Sequence, residues 1–183
     1  MTWDQHIARY EARKEAFVPV AYWDGKADHS SGNYAIAWGH NGPEVKPGMR
    51  VTIDEGRALF RKDLDDKAAI VSRWLKVPVS QHVFNMIHSA SFNAGTKLSA
   101  VCYFINNGQL AEACDLLRKF YWIDGKMSPG HKTRREQEAA IGETLDPLDL
   151  SAYGDLSAFR KYDSAPIPGV SNFKMTPFPE GFP

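Results

Sequence analysis

Glu15 and Asp24 stand nine residues apart in a stretch, residues 15–40, that reads EAFVPVAYWDGKADHSSGNYAIAWGH. Two carboxyl groups held at the mouth of a cleft are the least equipment that cleaves a glycosidic bond. One donates a proton to the leaving oxygen, and the other serves as base, nucleophile or charge stabiliser opposite. Neither residue is compelling alone. Glu15 follows Arg13 and Lys14, as a solvated helix charge would, and Asp24-Gly25 is a turn signal in its own right. Asp28 offers another carboxylate four residues on, and Glu11, one helical turn before Glu15, reads as a surface or ion-paired residue. What distinguishes Glu15 is its flank, Ala16-Phe17-Val18, apolar groups able to shield one side of it from water.

Other residues that could do chemistry carry less. His40 has no second His or Cys at ligand spacing, so no metal site is expected. Asn93, in Phe92-Asn93-Ala94-Gly95, has two readings: a ligand-facing amide, or a helix-end residue that satisfies local carbonyls. Lys132, Arg134 and Arg135 fill one helical turn, which is poor support for nucleic-acid binding in a chain of zero formal net charge. No phosphate-cradling glycine loop, nucleophile elbow or cysteine metal cluster is present.

The elements that must hold these residues follow from periodicity. Trp3, Ile7, Tyr10 and Phe17 predict a helix over residues 3–16, ended by Pro19. Residues 20–50 lose that period and fill with Gly, Pro, Asn and Asp around β-prone runs at 20–23 and 33–38, predicting a small β-lobe. Thr52-x-x-Glu55 is a capping box opening a helix over about 53–76, with a stripe of Phe60, Leu64, Ala68, Val71 and Leu75. At 1.5 Å per residue it would be ~35 Å long, enough to connect two lobes. Ser80 caps a helix that stops near Gly95; others are expected at 97–107, ending at Gly108, at 110–121, and at 131–141, ending at Gly142. Residues 143–183 hold six prolines and scattered aromatics, and are expected to pack on the body without regular structure.

A chain of 183 residues, 43% hydrophobic, can bury one substantial core or two small lobes that share a helix. No apolar run approaches the roughly 20 residues that span a bilayer, and the N-terminus lacks the apolar stretch of a secretory signal. Synthesis in the cytoplasm, with reduced and buried Cys102 and Cys114, is the expectation. From Glu143 on, six acidic residues face three basic ones, so the tail carries −3 and the preceding body +3. A mildly cationic body suits an anionic polymer.

Taken together, Glu15-Ala16-Phe17, Ala21-Tyr22-Trp23-Asp24 and Ile36-Ala37-Trp38-Gly39-His40 resemble the tailed-phage lysozyme (endolysin) family, glycoside hydrolase family 24. The likeness runs on through Thr52-Ile53-Asp54-Glu55-Gly56, Val77-Pro78-Val79-Ser80-Gln81, Phe92-Asn93-Ala94-Gly95 and Arg134-Arg135-Glu136, covering roughly residues 5–142. The resemblance implies a predominantly helical α+β, lysozyme-like two-lobe fold: a catalytic domain at 1–142 followed by the extension at 143–183. It implies a muramidase that hydrolyses the β-1,4 bond between N-acetylmuramic acid and N-acetylglucosamine, with Glu15 as general acid, Asp24 as its partner and Asn93 touching substrate. It further implies a structural pairing of His40 with Asp63. No cofactor, nucleic-acid partner or membrane insertion is expected. A monomer is, reaching peptidoglycan in the periplasm from the host cytoplasm by way of a holin. One position departs from the pattern: where the family has Thr before an Ile-Gly-x-Gly-His strand, holding the attacking water, this chain has Ala35. Ser30 or Ser31 is a candidate to restore the hydroxyl. The departure keeps two alternatives in view, a lytic transglycosylase giving 1,6-anhydro products and an antibacterial toxin or wall-binding domain on the same fold.

Overall fold

The structure, a computed structural model, describes residues 2–25, 29, 32–123 and 125–154. It is mainly helical with two small antiparallel hairpins, and the chain divides into two compact units. One comprises Glu11–Asp66; the other comprises the residues up to Tyr10 and from Lys67 onward.

In the Glu11–Asp66 unit, strand β1 (Val18–Gly25) pairs with β2 (Gly32–Ala37). Tyr22 lies opposite Ala35, Trp23 opposite Tyr34 and Asp24 opposite Asn33. The register is irregular between Val18 and Tyr22, where the backbone turns to a different neighbour: Ala21 N–H donates to Met49 O (2.9 Å) and Val51 N–H to Pro19 O (3.0 Å). A tight turn after β2 is closed by two backbone bonds between Ile36 and His40, 2.8 and 2.9 Å. The core is aromatic, with the Trp38 ring tilted against Phe17 (4.7 Å between ring centres) and against Phe60 (5.5 Å), and Ile36 and Leu64 fully buried.

Two helices contribute residues to both units. Helix α1 (Gln5–Lys14) starts at Asp4, whose carboxylate accepts from the backbone N–H of His6 (2.9 Å) and Ile7 (3.0 Å). Asp4 is an N-cap that apolar periodicity alone does not reveal, and the helix is two residues shorter at each end than the 3–16 expected. Helix α2 (Ile53–Trp74) opens with the capping box as read: Glu55 N–H donates to Thr52 Oγ1 (3.2 Å) and Thr52 N–H to Glu55 Oε2 (2.7 Å).

The larger unit is a helical bundle. Helix α3 (Gln81–Ala90), capped by Ser80, is buried on nearly every side, from His82 to Ala90. It is shorter than expected, because turns and a 3₁₀ turn (Gly95–Lys97) intervene before α4 (Leu98–Asn106). Helix α5 (Leu110–Arg118) then leads to a feature the sequence did not announce, a hairpin of β3 (Trp122–Ile123) and β4 (Lys126–Met127) with exposed side chains. The last helix, α6 (Pro129–Glu143), is capped by Ser128 and continues through Gly142, which was expected to stop it. Gly142 is instead a packing residue, since a Cβ there would collide with the Met86 side chain on α3. Cys102 and Cys114 are free and buried, and burial pushes their thiols up to about 12 and about 11. Among the described residues no helix is long and apolar enough to cross a membrane. Tyr153, in the described part of the extension, is buried, its hydroxyl 2.8 Å from Asn85 Nδ2 and 3.0 Å from His82 Nδ1. The remaining extension, 155–183, lies outside the described residues.

Candidate active site

Glu15 and Asp24 belong to the same unit, Glu11–Asp66, so their relationship is set within one compact body. Glu15 sits one residue beyond the end of α1, its backbone N–H still donating to Glu11 O (3.1 Å). Its half-buried side chain lies against Gly39: a Cβ at 39 would be 3.5 Å from Glu15 Oε2. Gly39 also has φ +79°, so glycine relieves strain there and leaves the carboxylate flank open. Ala37, in the same turn, holds φ +56° without that freedom, a backbone conformation that costs a non-glycine residue roughly 1–2 kcal/mol.

Strand alternation puts Tyr22 and Asp24 on one face of the hairpin, with their direct partners Ala35 and Asn33 on that same face. The Tyr22 phenol reports how the charges converge. Burial, then Asp24, then Glu15 push its pKa above the ordinary value of 10.0. Both carboxylates lie near enough to this phenol to add to that rise. Ala35, directly opposite Tyr22, is fully buried and presents only a methyl there. Asp28, Ser30 and Ser31 lie outside the described residues.

The other candidates separate cleanly. His40 is buried and bonded on both ring nitrogens, Nδ1 to the Asp63 carboxylate (2.9 and 3.0 Å) and Nε2 to Glu44 Oε1 (2.9 Å). The Asp63 pairing implied by the resemblance is present, and Glu44 is a second partner that sequence reading missed, although the i, i+4 spacing was there to see. Glu11 is fully buried, which removes the surface reading of it.

In the larger unit, Arg134 and Arg135 are buried on α6 and share Glu138, Arg134 Nε donating to Glu138 Oε1 at 3.1 Å and Arg135 Nη2 at 2.8 Å. Ser89 Oγ donates to the same oxygen at 2.7 Å. Burial pushes the Glu138 carboxyl up, and the charges of Arg135 and Arg134 oppose that. A nucleic-acid patch at this turn is thereby excluded, since two of its three cations are inside the protein. Arg135 Nη2 also donates to Asn93 Oδ1 at 2.6 Å. Guanidinium only donates, so the Asn93 oxygen must face it and the amide NH₂ is turned elsewhere. The side-chain oxygen of this exposed residue therefore accepts from an arginine. Among the described residues no group of three or more His, Cys, Asp or Glu side chains could hold a metal ion.

The sequence profile of phage lysozyme matches residues 12–138. The chain is 33% identical over 113 residues to the SAR-endolysin of Bacteriophage PS119, covering 60% of this chain and 68% of that one. It is 32% identical over 113 residues to the SAR-endolysin of Enterobacteria phage P21, with the same coverage of 60% and 68%. Among solved structures it is similar to the endolysin from Escherichia coli O157:H7 phage FAHEc1, with TM-score 0.67 and 24% identity over 78% of this chain and 94% of that one. It is also similar to the muramidase domain of SpmX from Asticaccaulis excentricus, with TM-score 0.65 and 23% identity over 77% and 97%. At these identities the structural likenesses are ones of fold.

Proposed function

The chain belongs to the phage lysozyme family, and from that premise we propose that Glu15 is the general acid and Asp24 its partner in hydrolysing the β-1,4 bond between N-acetylmuramic acid and N-acetylglucosamine. The chain is a glycoside hydrolase, an endolysin-type lysozyme that degrades peptidoglycan. What supports the residue assignment is placement within one compact unit: Glu15 lies against Gly39 just past the end of α1, and Asp24 shares a hairpin face with the Tyr22 phenol, which burial and then both carboxylates hold above its ordinary pKa. Glu15 would protonate the leaving oxygen; Asp24 would face the oxocarbenium-like centre and orient water.

Asn93 enters as a substrate-binding residue through its amide NH₂, whose orientation the Arg135 bond fixes. A lysozyme domain over residues 1–142, with 143–183 as an extension packed on it, belongs to the same proposal. So do action as a monomer without membrane insertion, synthesis in the host cytoplasm, and holin-dependent release to the periplasm.

Glu15→Gln tests the assignment. The amide is nearly isosteric but cannot donate the proton, so release of muropeptides from purified sacculi should fall on the order of 10²–10⁴-fold with an unchanged melting temperature. Near-native release by this variant would remove Glu15 from the role.

A further inference from the structure

A cavity of about 440 Å³ opens on the Glu11–Asp66 unit, lined by Trp23, Tyr34 and Asn33 from the hairpin and by Asn41, Val45 and Lys46 from the loop after His40. Its volume is within the range of small-molecule sites. We propose that it binds an N-acetylated sugar residue of the wall glycan, as an accessory site beside the catalytic carboxylates; this rests on the reading of the protein as a peptidoglycan lysozyme.

Three features carry the proposal. The first is aromatic. Trp23 and Tyr34 are direct cross-strand partners whose rings meet edge to face, 5.3 Å apart at 72°, and His29 stacks on the indole at 4.1 Å. The indole lies close against Gly32, which has φ +139° and where a Cβ would be 3.0 Å from Trp23 Cζ2. Fixed aromatic walls suit the C–H face of a pyranose ring.

The second feature is polar. Among the described residues Asn41 and Lys46 make no side-chain hydrogen bond or ion pair, so an amide and an ammonium line the cavity with their capacity unspent. Amides match hydroxyl and acetamido groups, which both donate and accept. A peptide stem bearing several carboxylates would call for more than one cation.

The third is continuity and rigidity. By alternation Trp23 and Tyr34 project from the face opposite Tyr22 and Asp24, yet Asn33 is the direct partner of Asp24. The cavity and the catalytic carboxylate therefore share one strand pair. The loop wall is preformed: the paired Ile36–His40 backbone bonds close its start, His40 holds Glu44, Val45 N–H donates to Gly42 O (3.0 Å), and Val45 is buried. A site that does not need ordering loses less on binding.

The test is a titration of the full chain with the tetramer of N-acetylglucosamine, followed by backbone amide NMR, with sacculus degradation measured on the same protein. The expected result is saturable shifts at Tyr34, Asn41, Gly42, Val45 and Lys46. Tyr34→Ala and Asn41→Ala should each weaken those shifts about three- to tenfold in affinity, whereas Tyr34→Phe should retain them. Both alanine variants should keep sacculus turnover at saturating substrate and lose it at low substrate. Shifts confined to residues near Glu15 and Asp24, or a loop 41–47 that stays unmoved while sacculi are degraded, would overturn the proposal and leave the lysozyme reading standing. Sacculi left intact by the wild type would sink the lysozyme reading, and the shifts would still decide the cavity. Asn41→Ala keeps the test sound should Tyr34→Ala fail to fold.

Discussion

Tyr22 and Ala35 face each other as direct partners across the β1–β2 hairpin, one bringing a phenol that burial and then both carboxylates hold above its ordinary pKa and the other a buried methyl. Because directly opposed side chains project from the same face, a hydroxyl introduced at position 35 would enter the Tyr22–Asp24 face. Ala35→Thr should therefore raise the hydrolysis rate severalfold, within the 10²-fold that one positioned group commonly contributes. Position 35 is fully buried, so the added atoms should also cost ~1–3 kcal/mol of stability. Rate and melting temperature together decide the point; a stable but unimproved variant would mean that the water is already held.

Tyr22→Phe is the complementary change. If the phenol helps to orient water between the carboxylates, removing it should lower turnover roughly tenfold or more and leave KM largely unchanged. Products identify what the missing hydroxyl does to the chemistry. A reducing muramic acid end marks hydrolysis, the expected outcome, whereas a 1,6-anhydro end in the wild-type digest would favour the transglycosylase alternative.

Asp24→Asn should be strongly impaired and Asp28→Asn only mildly. Asp24 has a fixed register opposite Asn33, and the Asp28 assignment rests on sequence alone. Equal losses would bring both carboxylates into one site. Glu11→Gln, by contrast, should act through stability, because Glu11 is fully buried. Its melting temperature should drop, while Glu15→Gln melts like the wild type.

The motif was legible because each part of it does local work. Thr52 and Glu55 cap α2, Gly39 takes a positive φ, and His40 meets Asp63. What stayed hidden depended on distant neighbours. Nothing in the residues around Glu11 announces that it is inside, and Gly142 looks like a terminator until Met86 is seen against it. The β3–β4 hairpin has two-residue strands, too short for alternation to register. The cavity wall at 41–47 is a loop whose shape comes from the Glu44–His40 bond and the Val45 N–H to Gly42 O bond rather than from periodicity.

His40 should make stability depend on pH. Burial disfavours its charge, but hydrogen bonds to Asp63 and Glu44 outweigh this and hold its pKa above the ordinary 6.5. A pKa raised on folding gives stabilisation that is complete below about 6.5 and is lost as pH rises through the higher folded value. Melting temperatures should fall between neutral and mildly alkaline pH in the wild type, and this slope should flatten in His40→Gln. Parallel slopes in the two proteins would assign the dependence elsewhere.

Tyr153→Phe should cost about 1–3 kcal/mol, since it strips a buried partner from both Asn85 and His82. That corresponds to a fall of several degrees for a protein of this size. Truncation after residue 144 removes the whole side chain and should cost more, on the scale of ~3–5 kcal/mol for deleting a buried aromatic, with little change in wall specificity. An unchanged melting temperature with lost wall binding would make the extension a targeting element instead.

The irregular segment between Val18 and Tyr22 imposes a rule of parity on the enzyme. Residues 19–21 leave β2 to bond with residues 49–51, and β1 rejoins its partner at Tyr22 in phase, four residues on along β1 and two along β2. Everything beyond that point keeps its phase only because the detour has the length it has. Insert or delete a single residue there, with nothing to absorb it before β1 rejoins β2, and the pairing slips by one, so that Asp24 turns to the cavity side and Trp23 takes its face. Two residues, added or removed, would restore the phase. The length of this short detour, more than the identity of its residues, thus decides which side of the hairpin carries Asp24 and which side offers aromatic rings.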